Sequence, residues 1–433
     1  MGIESIANGD ERISEAREIV MRMRILRLGA LSFTVLIAAG CGDLFSVDNP
    51  GSLTLADLED PNLVPALAAT PEGVVCDAYD GTVAANALQS DDVTFISSFT
   101  FTELHMWGHM EGFNTTQNAV WNSLSSARWI AEEAIRRLQE SNPADTTIVR
   151  GIFWEAFARI TLADHFKEVP FNGEAPLAPD VVLEQTLSAL DQVAQTSNPD
   201  LRAAALATKA RVHRSLFFER GRDMSQVAAA MQAAEAALAV KPDFYFACRY
   251  QQPGSLNSLN TYHQSITGVI IDPRNVAIED PVSGMVDPRV GTRVGPPELR
   301  APPPHTGDVH RFFKYQGLDA DLPVSRWQEA RLILAEGHLL AGNYQEAVNQ
   351  INMVRANWDL PPFMSMDIGE VHQQIIYERR LEFMIEGRRL QDHRYYDIKP
   401  WQWDEVTKQL GTNRRWPVSS EEIAGNPHYQ GGS

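Results

Sequence analysis

Two histidines form the pattern in this chain that is most similar to a catalytic motif. His105 and His109 are four residues apart, with Glu103 and Glu111 nearby, as on the helix of a zinc protease. That motif requires a glutamate directly after the first histidine, where it acts as the general base, and Met106 stands there instead. We therefore expect neither a metal site nor hydrolysis from this pair.

Three glutamates form a second candidate metal site. Glu378, Glu382 and Glu386 are spaced four apart, so a helix would place them on one face, as in carboxylate-rich metal bundles. Arg379 and Arg389 lie within ion-pair reach of that face. The preferred interpretation is a structural ion-pair face without a metal.

The other catalytic patterns are weak or missing from the sequence. Asp91 and Asp92 are adjacent, and glycosidases use two carboxylates, but neighbouring acids are common on a strongly negative surface, so we expect them to be solvated. The sequence contains no GxSxG motif, no phosphate-binding glycine loop and no dinucleotide fingerprint. These observations favour a non-enzymatic protein without a cofactor.

Aromatic residues on irregular segments are the best candidates for ligand contact. Aromatic rings pack against flat C–H faces such as those of sugars, and the polar tips of Tyr and Trp tolerate water. The candidates are Tyr79, Phe99, Trp107, Tyr250 and Tyr262, with Asn257, Asn260 and His263 as hydrogen-bonding neighbours. For each of them, packing within a loop is the alternative role. Four tryptophans on predicted helices are expected in the core: Trp121, Trp129, Trp154 and Trp327.

The elements that must position these residues are mostly α-helical. Apolar residues recur at three- and four-residue spacing in the segments 116–140, 147–168, 181–196, 200–219 and 225–239. The last two segments are rich in alanine, whose small side chain lets helices approach closely. Paired helices of this length indicate tetratricopeptide-like units.

Two segments depart from this helical pattern. Residues 71–113 are mixed and rich in aromatics, and we expect irregular structure with a few short helices, after a helix that follows Thr54. Residues 242–322 are rich in Pro, Gly and Asn and predict a large irregular insert, which in a helical protein is usually functional. Helices are predicted again at 323–341, 343–357 and 367–396.

The N-terminal region indicates secretion and lipid attachment. Three arginines between positions 22 and 27 precede an apolar stretch at 28–39, and small residues lead into Cys41, as in a signal peptide with a lipobox. The apolar stretch is too short to span a bilayer. Lipidation of Cys41 is the preferred prediction, and a cleaved signal with a chance cysteine is the alternative. Residues 1–20 carry five acidic side chains, which favours a mis-assigned extension before Met21 or Met23.

Charge and cysteine content narrow the possible partners. A formal net charge of −19 leaves no basic footprint for nucleic acid or for anionic membrane surfaces. Besides Cys41, only Cys76 and Cys248 are present, and in an oxidising compartment they can form a disulfide. Two buried free thiols are the alternative. The sequence has no CxxC motif or Cys/His cluster with zinc spacing.

The last third of the chain carries linked motifs in a fixed order. These are DPR at 287–289, KY at 314–315, LILAE at 332–336, INMVR at 351–355, ERRLEF at 378–383, EGRR at 386–389 and WPVSSEEIAGNP at 416–427. Together they resemble the SusD/RagB family of starch-utilisation-type surface lipoproteins. The resemblance follows the whole mature chain in order but is sharp only from about residue 286.

The resemblance implies a mostly α-helical, SusD-like fold with tetratricopeptide-like helix pairs and a loop-rich face. It also implies a partner, a TonB-dependent outer-membrane barrel (SusC-like), and a nutrient ligand without a catalytic site. Residues 1–40 would be the signal peptide with its extension, 41–53 a lipidated tether and 54–433 the nutrient-binding domain. The chain is shorter than many members, and its substrate-facing region carries no motif for a particular glycan.

These observations favour a non-enzymatic lipoprotein on the exterior of the outer membrane. It would bind a nutrient, most simply an oligo- or polysaccharide, and pass it to the barrel. Two alternatives remain from the sequence: a surface glycan hydrolase, and a helical-repeat scaffold that only assembles envelope proteins.

Overall fold

The computed structural model describes residues 64–96, 99–110, 114–141, 145–251, 254–261, 268–294, 300–301, 307–398 and 414–429. The predicted signal peptide, Cys41, the tether and the start of the helix after Thr54 lie outside the described residues. So do two of the ligand-contact candidates, Tyr262 and His263. Over the described residues, none of the helices combines the length and the apolar character that a membrane span requires.

The described chain is mostly helical. The helices are α1 (Val64–Gln89), α2 (Thr100–Met106), α3 (Thr115–Ser141), α4 (Asp145–His165), α5 (Pro179–Val193), α6 (Pro199–Glu219), α7 (Ser225–Val240), α8 (Ser258–Asn260), α9 (Trp327–Leu340), α10 (Tyr344–Ala356), α11 (Ile368–Glu382), α12 (Arg389–Tyr395) and α13 (Ser420–Gly425). The five helices predicted between residues 116 and 239 are confirmed, with ends within three residues of the predicted ones.

Local signals explain where several helices begin. Asn198 caps α6 by accepting hydrogen bonds from the amides of Asp200 and Leu201, and Pro199 occupies the first helical position. Asp367 caps α11 and Ser419 caps α13 in the same way. Such side chains satisfy amides that the first turn of a helix leaves unpaired.

Consecutive helices pack against one another, and alanines form the closest contacts. Seven alanines of α6 and α7 are buried together with Ala330, Ile333 and Leu334 of α9. Gly337 of α9 faces the side chain of Met231 so closely that a Cβ atom would overlap it. The small residues therefore set the distances between these helices, as the composition predicts.

The main core lies among α1, α3, α4 and α5 and includes Trp416 from the C-terminal segment. The ring of Trp416 is fully buried and packs 4.7 Å from that of His165 and 5.4 Å from that of Phe166. Trp121 and Trp154 are buried as predicted. Trp129 is not, because 54% of it is exposed on α3, and the prediction for this residue is wrong.

The prediction of irregular structure over 71–113 is wrong for its first half. Residues 64–89 form one helix of 26 residues, α1, which includes Pro71. Apolar Val75, Val83 and Leu88 and polar Thr82 and Asn86 are all buried. A helix buried on most sides lacks the one-sided apolar stripe that identifies helices in sequence.

The described parts of the segment 242–322 consist of short antiparallel strands, turns and the single-turn helix α8, and contain no long helix. The strands among the described residues are β1 (Val93–Phe95), β2 (Tyr245–Cys248), β3 (Val269–Ile271), β4 (Thr292–Val294), β5 (Arg300–Ala301), β6 (Gly307–Asp308), β7 (His310–Phe312) and β8 (Leu322–Arg326). They pair as β1–β3, β2–β8, β4–β7 and β5–β6. Tyr245 lies opposite Arg326 and Cys248 opposite Leu322, so the two ends of the segment are joined.

Two helix predictions near the C-terminus are corrected. Residues 323–326 belong to strand β8, and α9 begins only at Trp327. The predicted helix 367–396 is two helices, α11 and α12, because the chain turns between them at Ile385 and Gly387, whose φ angles are 53° and 68°. Positive φ angles are incompatible with a right-handed helix.

A candidate ligand-binding site between two long helices

Four of the predicted ligand-contact residues lie in the interior. Tyr79, Tyr250, Asn257 and Asn260 are 1%, 4%, 0% and 7% exposed. Their polar atoms bind the protein itself: the Tyr79 hydroxyl donates to the carbonyl of Glu386 at 3.0 Å. The prediction that they contact ligand is therefore corrected to a structural role.

The other three of these residues hold loops in place through main-chain carbonyls. The Tyr250 hydroxyl donates to the carbonyl of Cys76, the Asn257 amide to that of Ala320 and the Asn260 amide to that of Tyr315. The sequence placed all of them on irregular segments. It did not show that these segments fold inward.

Phe99 and Trp107 remain accessible, and both flank the short helix α2. Phe99 is 63% exposed and its neighbour Phe101 38% exposed, and Trp107 is partly exposed. Exposed aromatic rings at this density give the surface beside α2 a stacking capacity that a buried ring lacks. Phe101 was not among the predicted ligand-contact residues.

A cavity of about 350 Å³ opens between α1, α3 and α8. Its lining consists of small or apolar side chains with a few hydroxyls and one charged group. The lining residues are Asp77, Ala78, Gly81, Ala84, Ala85, Leu88, Thr116, Ala119, Val120, Ser123, Ser258 and Thr261. Small residues at positions 78, 81, 84 and 85 of α1 recur at helical spacing, which is the sequence signal that could have indicated this groove.

The aromatic residues of α2 are connected to the rim of this cavity. The hydroxyls of Thr102 and Thr116 lie 3.4 Å apart, and Thr116 lines the cavity. The Asn114 side chain donates to the carbonyl of Phe101 at 3.1 Å, which ties α2 to the start of α3. Phe99 and Phe101 therefore belong to a segment that contacts the start of α3, next to Thr116 at the cavity.

Helix α1, which lines the cavity, is tied to two neighbouring segments. Cys76 and Cys248 form a disulfide that joins α1 to β2, with their Cα atoms 5.4 Å apart. Asp80 is 3% exposed and accepts a hydrogen bond from the amide of Ser258 at 3.0 Å. Burial raises the pKa of Asp80 to about 6. An apolar lining, hydroxyls at the edge and the carboxyl group of Asp77 suit an uncharged polar ligand better than an anion.

The family-motif glutamates form a buried ion-pair network instead of a metal site. Glu378 accepts from Arg289 at 2.6 Å and from Arg355 at 2.8 Å. Arg289 also binds Asp287 at 2.7 Å, and Arg355 binds Asp280 at 2.9 Å. All of these side chains are fully or almost fully buried. They join 280–289 to α10 and α11.

A second part of the network surrounds β8. Arg326 binds Glu382 and lies 3.0 Å from Glu386, which also binds Lys314 at 2.7 Å. The three glutamates form structural ion pairs, as predicted, but their partners and their position relative to the helix differ from the prediction. Glu386 lies past the end of α11, and Arg379 and Arg389 bind Asp392 and Asp91 rather than the three glutamates.

The acidic pair Asp91 and Asp92 is buried, so the prediction of a solvated pair is wrong. Arg389 binds Asp91 at 3.0 Å, and this ion pair lowers the pKa of Asp91 despite the opposing effect of burial. Asp92 accepts the amide of Ile385 at 2.9 Å, and burial together with Asp91 raises its pKa to about 7. The two acids fasten the end of α1 to the turn between α11 and α12.

His105, the first histidine of the predicted pair, has a structural role. His105 is fully buried and bonds to the carbonyl of Ala85 at 3.0 Å, and burial lowers its pKa to about 4. Among the described residues, no group of three or more His, Cys, Asp or Glu side chains is arranged to hold a metal ion. His105 thus connects α2 to α1.

Comparison with known proteins agrees with the sequence motifs and with the fold. The SusD family model matches residues 308–429. A SusD superfamily protein from Bacteroides vulgatus superposes with a TM-score of 0.66 at 14% identity, over 86% of this chain and 98% of that one. One from Parabacteroides distasonis gives 0.68 at 13% identity, over 85% and 98%.

A third solved structure is described as a SusD-like carbohydrate binding protein from Bacteroides vulgatus. It superposes with a TM-score of 0.60 at 14% identity, over 77% of this chain and 83% of that one. No curated protein matches the chain. The SusD family model thus matches roughly the last third of the chain, and the fold of the described residues is similar to that of solved SusD superfamily proteins.

Proposed function

We propose that the protein is a non-enzymatic cell-surface lipoprotein that binds an oligo- or polysaccharide and delivers it to a TonB-dependent outer-membrane transporter. The observation that carries the proposal is the pair of exposed rings, Phe99 and Phe101, beside a cavity of about 350 Å³ in a SusD-like fold. Aromatic rings and hydroxyls are the groups that contact the two kinds of surface of a sugar.

The arrangement of the acidic residues supports binding rather than hydrolysis. A glycosidase needs two carboxyl groups on either side of the scissile bond, open to substrate. Asp91 and Asp92 are buried and engaged with Arg389 and Ile385, and Asp80 is buried under Ser258. Asp77 is the one charged side chain among the residues that line the cavity.

The membrane part of the proposal rests on the N-terminal sequence. Residues 1–40 would be removed as the signal peptide, Cys41 would carry the acyl chains, and 41–53 would link them to the binding domain at 54–433. Each buried acyl methylene contributes about 0.8 kcal/mol, so several chains anchor the protein without a spanning helix. Replacing Cys41 with Ala should release the protein from membranes, and retention would contradict the anchor.

Ligand binding is tested with the Phe99→Ala variant and a panel of neutral polysaccharides. Affinity electrophoresis or calorimetry should show that Phe99→Ala weakens binding about tenfold, the effect of losing one stacked ring. Trp129→Ala is the matched control, since Trp129 is 54% exposed on α3 and lies roughly 20 Å along that helix from Thr116. Equal losses in both variants would contradict the site.

Incubation of the protein with the same polysaccharides distinguishes the proposal from its alternatives. Binding without new reducing ends supports a binding protein, and product formation that a carboxylate variant abolishes would instead indicate a hydrolase. Absence of any glycan affinity, with co-purification of envelope proteins other than a barrel, would indicate a scaffold. Co-purification of an outer-membrane barrel from detergent extracts supports delivery.

A further inference from the structure

A second cavity lies away from the candidate glycan site, where α6 ends and α12 passes. It has a volume of about 420 Å³ and is lined by Phe218, Glu219, Gly221, Arg222, Arg394, Tyr395 and Arg415. None of these residues lines the cavity between α1 and α3. Three of these seven residues are arginines, in a protein whose formal net charge is −19.

Positive charge exceeds negative charge among the residues that line this cavity. Arg415 binds Glu219 at 2.5 Å, and Arg394 lies 3.8 Å from the same carboxylate. Two guanidinium groups therefore share one carboxylate. Arg222 is exposed on the turn after α6, with a φ of 67°.

Main-chain carbonyls fix two of the arginines without neutralising them. Arg415 donates to the carbonyls of Ala163 and Phe166, and Arg394 donates to that of Asp164. These carbonyls lie at the C-terminal end of α4, so part of the positive charge is balanced by the helix dipole. The guanidinium groups are consequently held in place before any ligand arrives.

Asp164, the other acid near this cavity, offsets little of the positive charge. The Asp164 side chain is 4% exposed, and burial raises its pKa towards the neutral form. Burial and then the charge of Arg415 lower the pKa of Arg394, which is the effect of two cations placed close together. The lowered pKa of Arg394 agrees with an excess of positive charge at this cavity.

Two of the lining residues carry donors that lack an acceptor. Among the described residues, neither Nε of Arg394 nor the hydroxyl of Tyr395 has a hydrogen-bond partner, although both atoms are buried. A buried donor without an acceptor costs roughly 1–3 kcal/mol. The ring of Tyr395 stacks on that of Phe218 at 4.5 Å, so an aromatic wall adjoins these donors.

We propose that this cavity binds a small oxyanion group, a phosphate, sulfate or carboxylate, either free or carried on a sugar. Guanidinium groups match such oxygens in geometry as well as in charge, and preplaced arginines lose little entropy on binding. The Phe218–Tyr395 wall suits the C–H face of an attached sugar. This site is separate from the proposed glycan site and does not depend on it.

Calorimetry at low ionic strength tests the site with four probes: inorganic phosphate, inorganic sulfate, glucose 6-phosphate and glucose. We expect binding of the anions and none of glucose. Equal affinities for phosphate and glucose 6-phosphate would identify a site for the free anion, and tighter binding of glucose 6-phosphate would identify an anionic sugar. No heat with any anion would overturn the proposal.

The variants Arg222→Glu and Tyr395→Phe test whether the anion binds in this cavity. Reversing the charge of exposed Arg222 should weaken phosphate binding at least about tenfold, and removing the Tyr395 hydroxyl should weaken it less. Arg202→Glu is the control, because Arg202 is exposed near the other end of α6 and the change in net charge is identical. If Arg202→Glu weakens binding as much as Arg222→Glu, the attraction is diffuse and the site is wrong. Loss of Phe99 should leave phosphate binding unchanged.

Discussion

At the scale of single residues, the family motifs supply arginines and acids that join distant segments of the chain. Arg355 of the INMVR motif is fully buried and binds Asp280, Glu378 and the carbonyl of Pro361. Such a pair contributes little net stability when complete, but removal of one partner leaves a buried charge that costs roughly 3–5 kcal/mol. The motif residues therefore fix the fold rather than contact a ligand.

Asp92 makes stability depend on pH in an unusual direction. Its pKa in the folded protein is raised to about 7, above the ordinary value of 3.8, by burial and by Asp91. Between these two values the folded state holds the proton more tightly than the unfolded state, so this group's contribution to stability falls as pH rises. The facing groups Asp91, Arg389 and Arg380 remain charged throughout that range.

Asp92→Asn should remove this dependence while the side-chain oxygen still accepts the amide of Ile385. As the pH rises from about 5 to about 8, we expect the unfolding free energy of the variant to increase relative to that of the unsubstituted protein. The increase should be at most about 1.4 kcal/mol per pH unit. Urea unfolding of both proteins at the two pH values measures this difference in unfolding free energy. Asp243→Asn, at an exposed acid, is the control. A stability difference that does not change with pH would rule out the shift.

At the scale of elements, the sequence predicts helices best where one face is buried. The segments 116–140 and 200–219 were recognised because apolar or alanine positions recur regularly, whereas α1 was missed because it is buried on most sides. In the break between α11 and α12, Gly387 is the one residue of low helix propensity, and a single glycine does not by itself end a helix. Contacts from elsewhere impose the break: Asp92 binds the amide of Ile385, and the Tyr315 hydroxyl donates to its carbonyl.

The candidate site was only partly predictable from the sequence, because the sequence does not show which side chains are buried. Phe99 was identified from its residue type and irregular setting, but those criteria also selected Tyr79 and Tyr250, which are buried. Residue type indicates what a side chain can contact and not whether it faces solvent. The cavity itself depends on the packing of α1 against α3, which only the folded chain reveals.

Gly387 tests whether the turn between α11 and α12 is under steric constraint. Its φ is 68°, and an added Cβ would lie 3.1 Å from Cγ2 of Val83 and 3.3 Å from the hydroxyl of Tyr79. Gly387→Ala should therefore cost roughly 1–3 kcal/mol of unfolding free energy. Gly73 lies inside α1 with no atom near its Cβ position, so Gly73→Ala should be neutral or stabilising by up to about 1 kcal/mol. Thermal unfolding of both variants measures the contrast, and equal effects would contradict it.

At the scale of the whole molecule, the chain brings its first and last described elements together. Trp416 donates to Gln89 at the end of α1, and Asp91 and Asp92 bind the segment around residues 385–389. The helix pairs in between are consecutive in sequence, whereas these contacts span some 300 residues. Closing such long loops is entropically costly, so a covalent link across part of the chain has a large effect on stability.

The disulfide between Cys76 and Cys248 is that covalent link, and it encloses a sequence separation of 172 residues. Loop-closure entropy gives about 5 kcal/mol for a loop of this length, with strain and residual structure able to reduce it. We expect the double variant Cys76→Ala/Cys248→Ala, and the reduced protein, to unfold at clearly lower denaturant concentration than the oxidised protein.

Both measurements should use protein that lacks residues 1–41, so that no other cysteine is present. The reductant must leave the double variant unaffected, which separates loss of the disulfide from other effects of the reagent. Because the disulfide ties β2 to α1, the helix that lines the cavity, glycan affinity should fall together with stability. Identical unfolding midpoints for oxidised protein, reduced protein and double variant would show that packing alone holds α1 and β2 together.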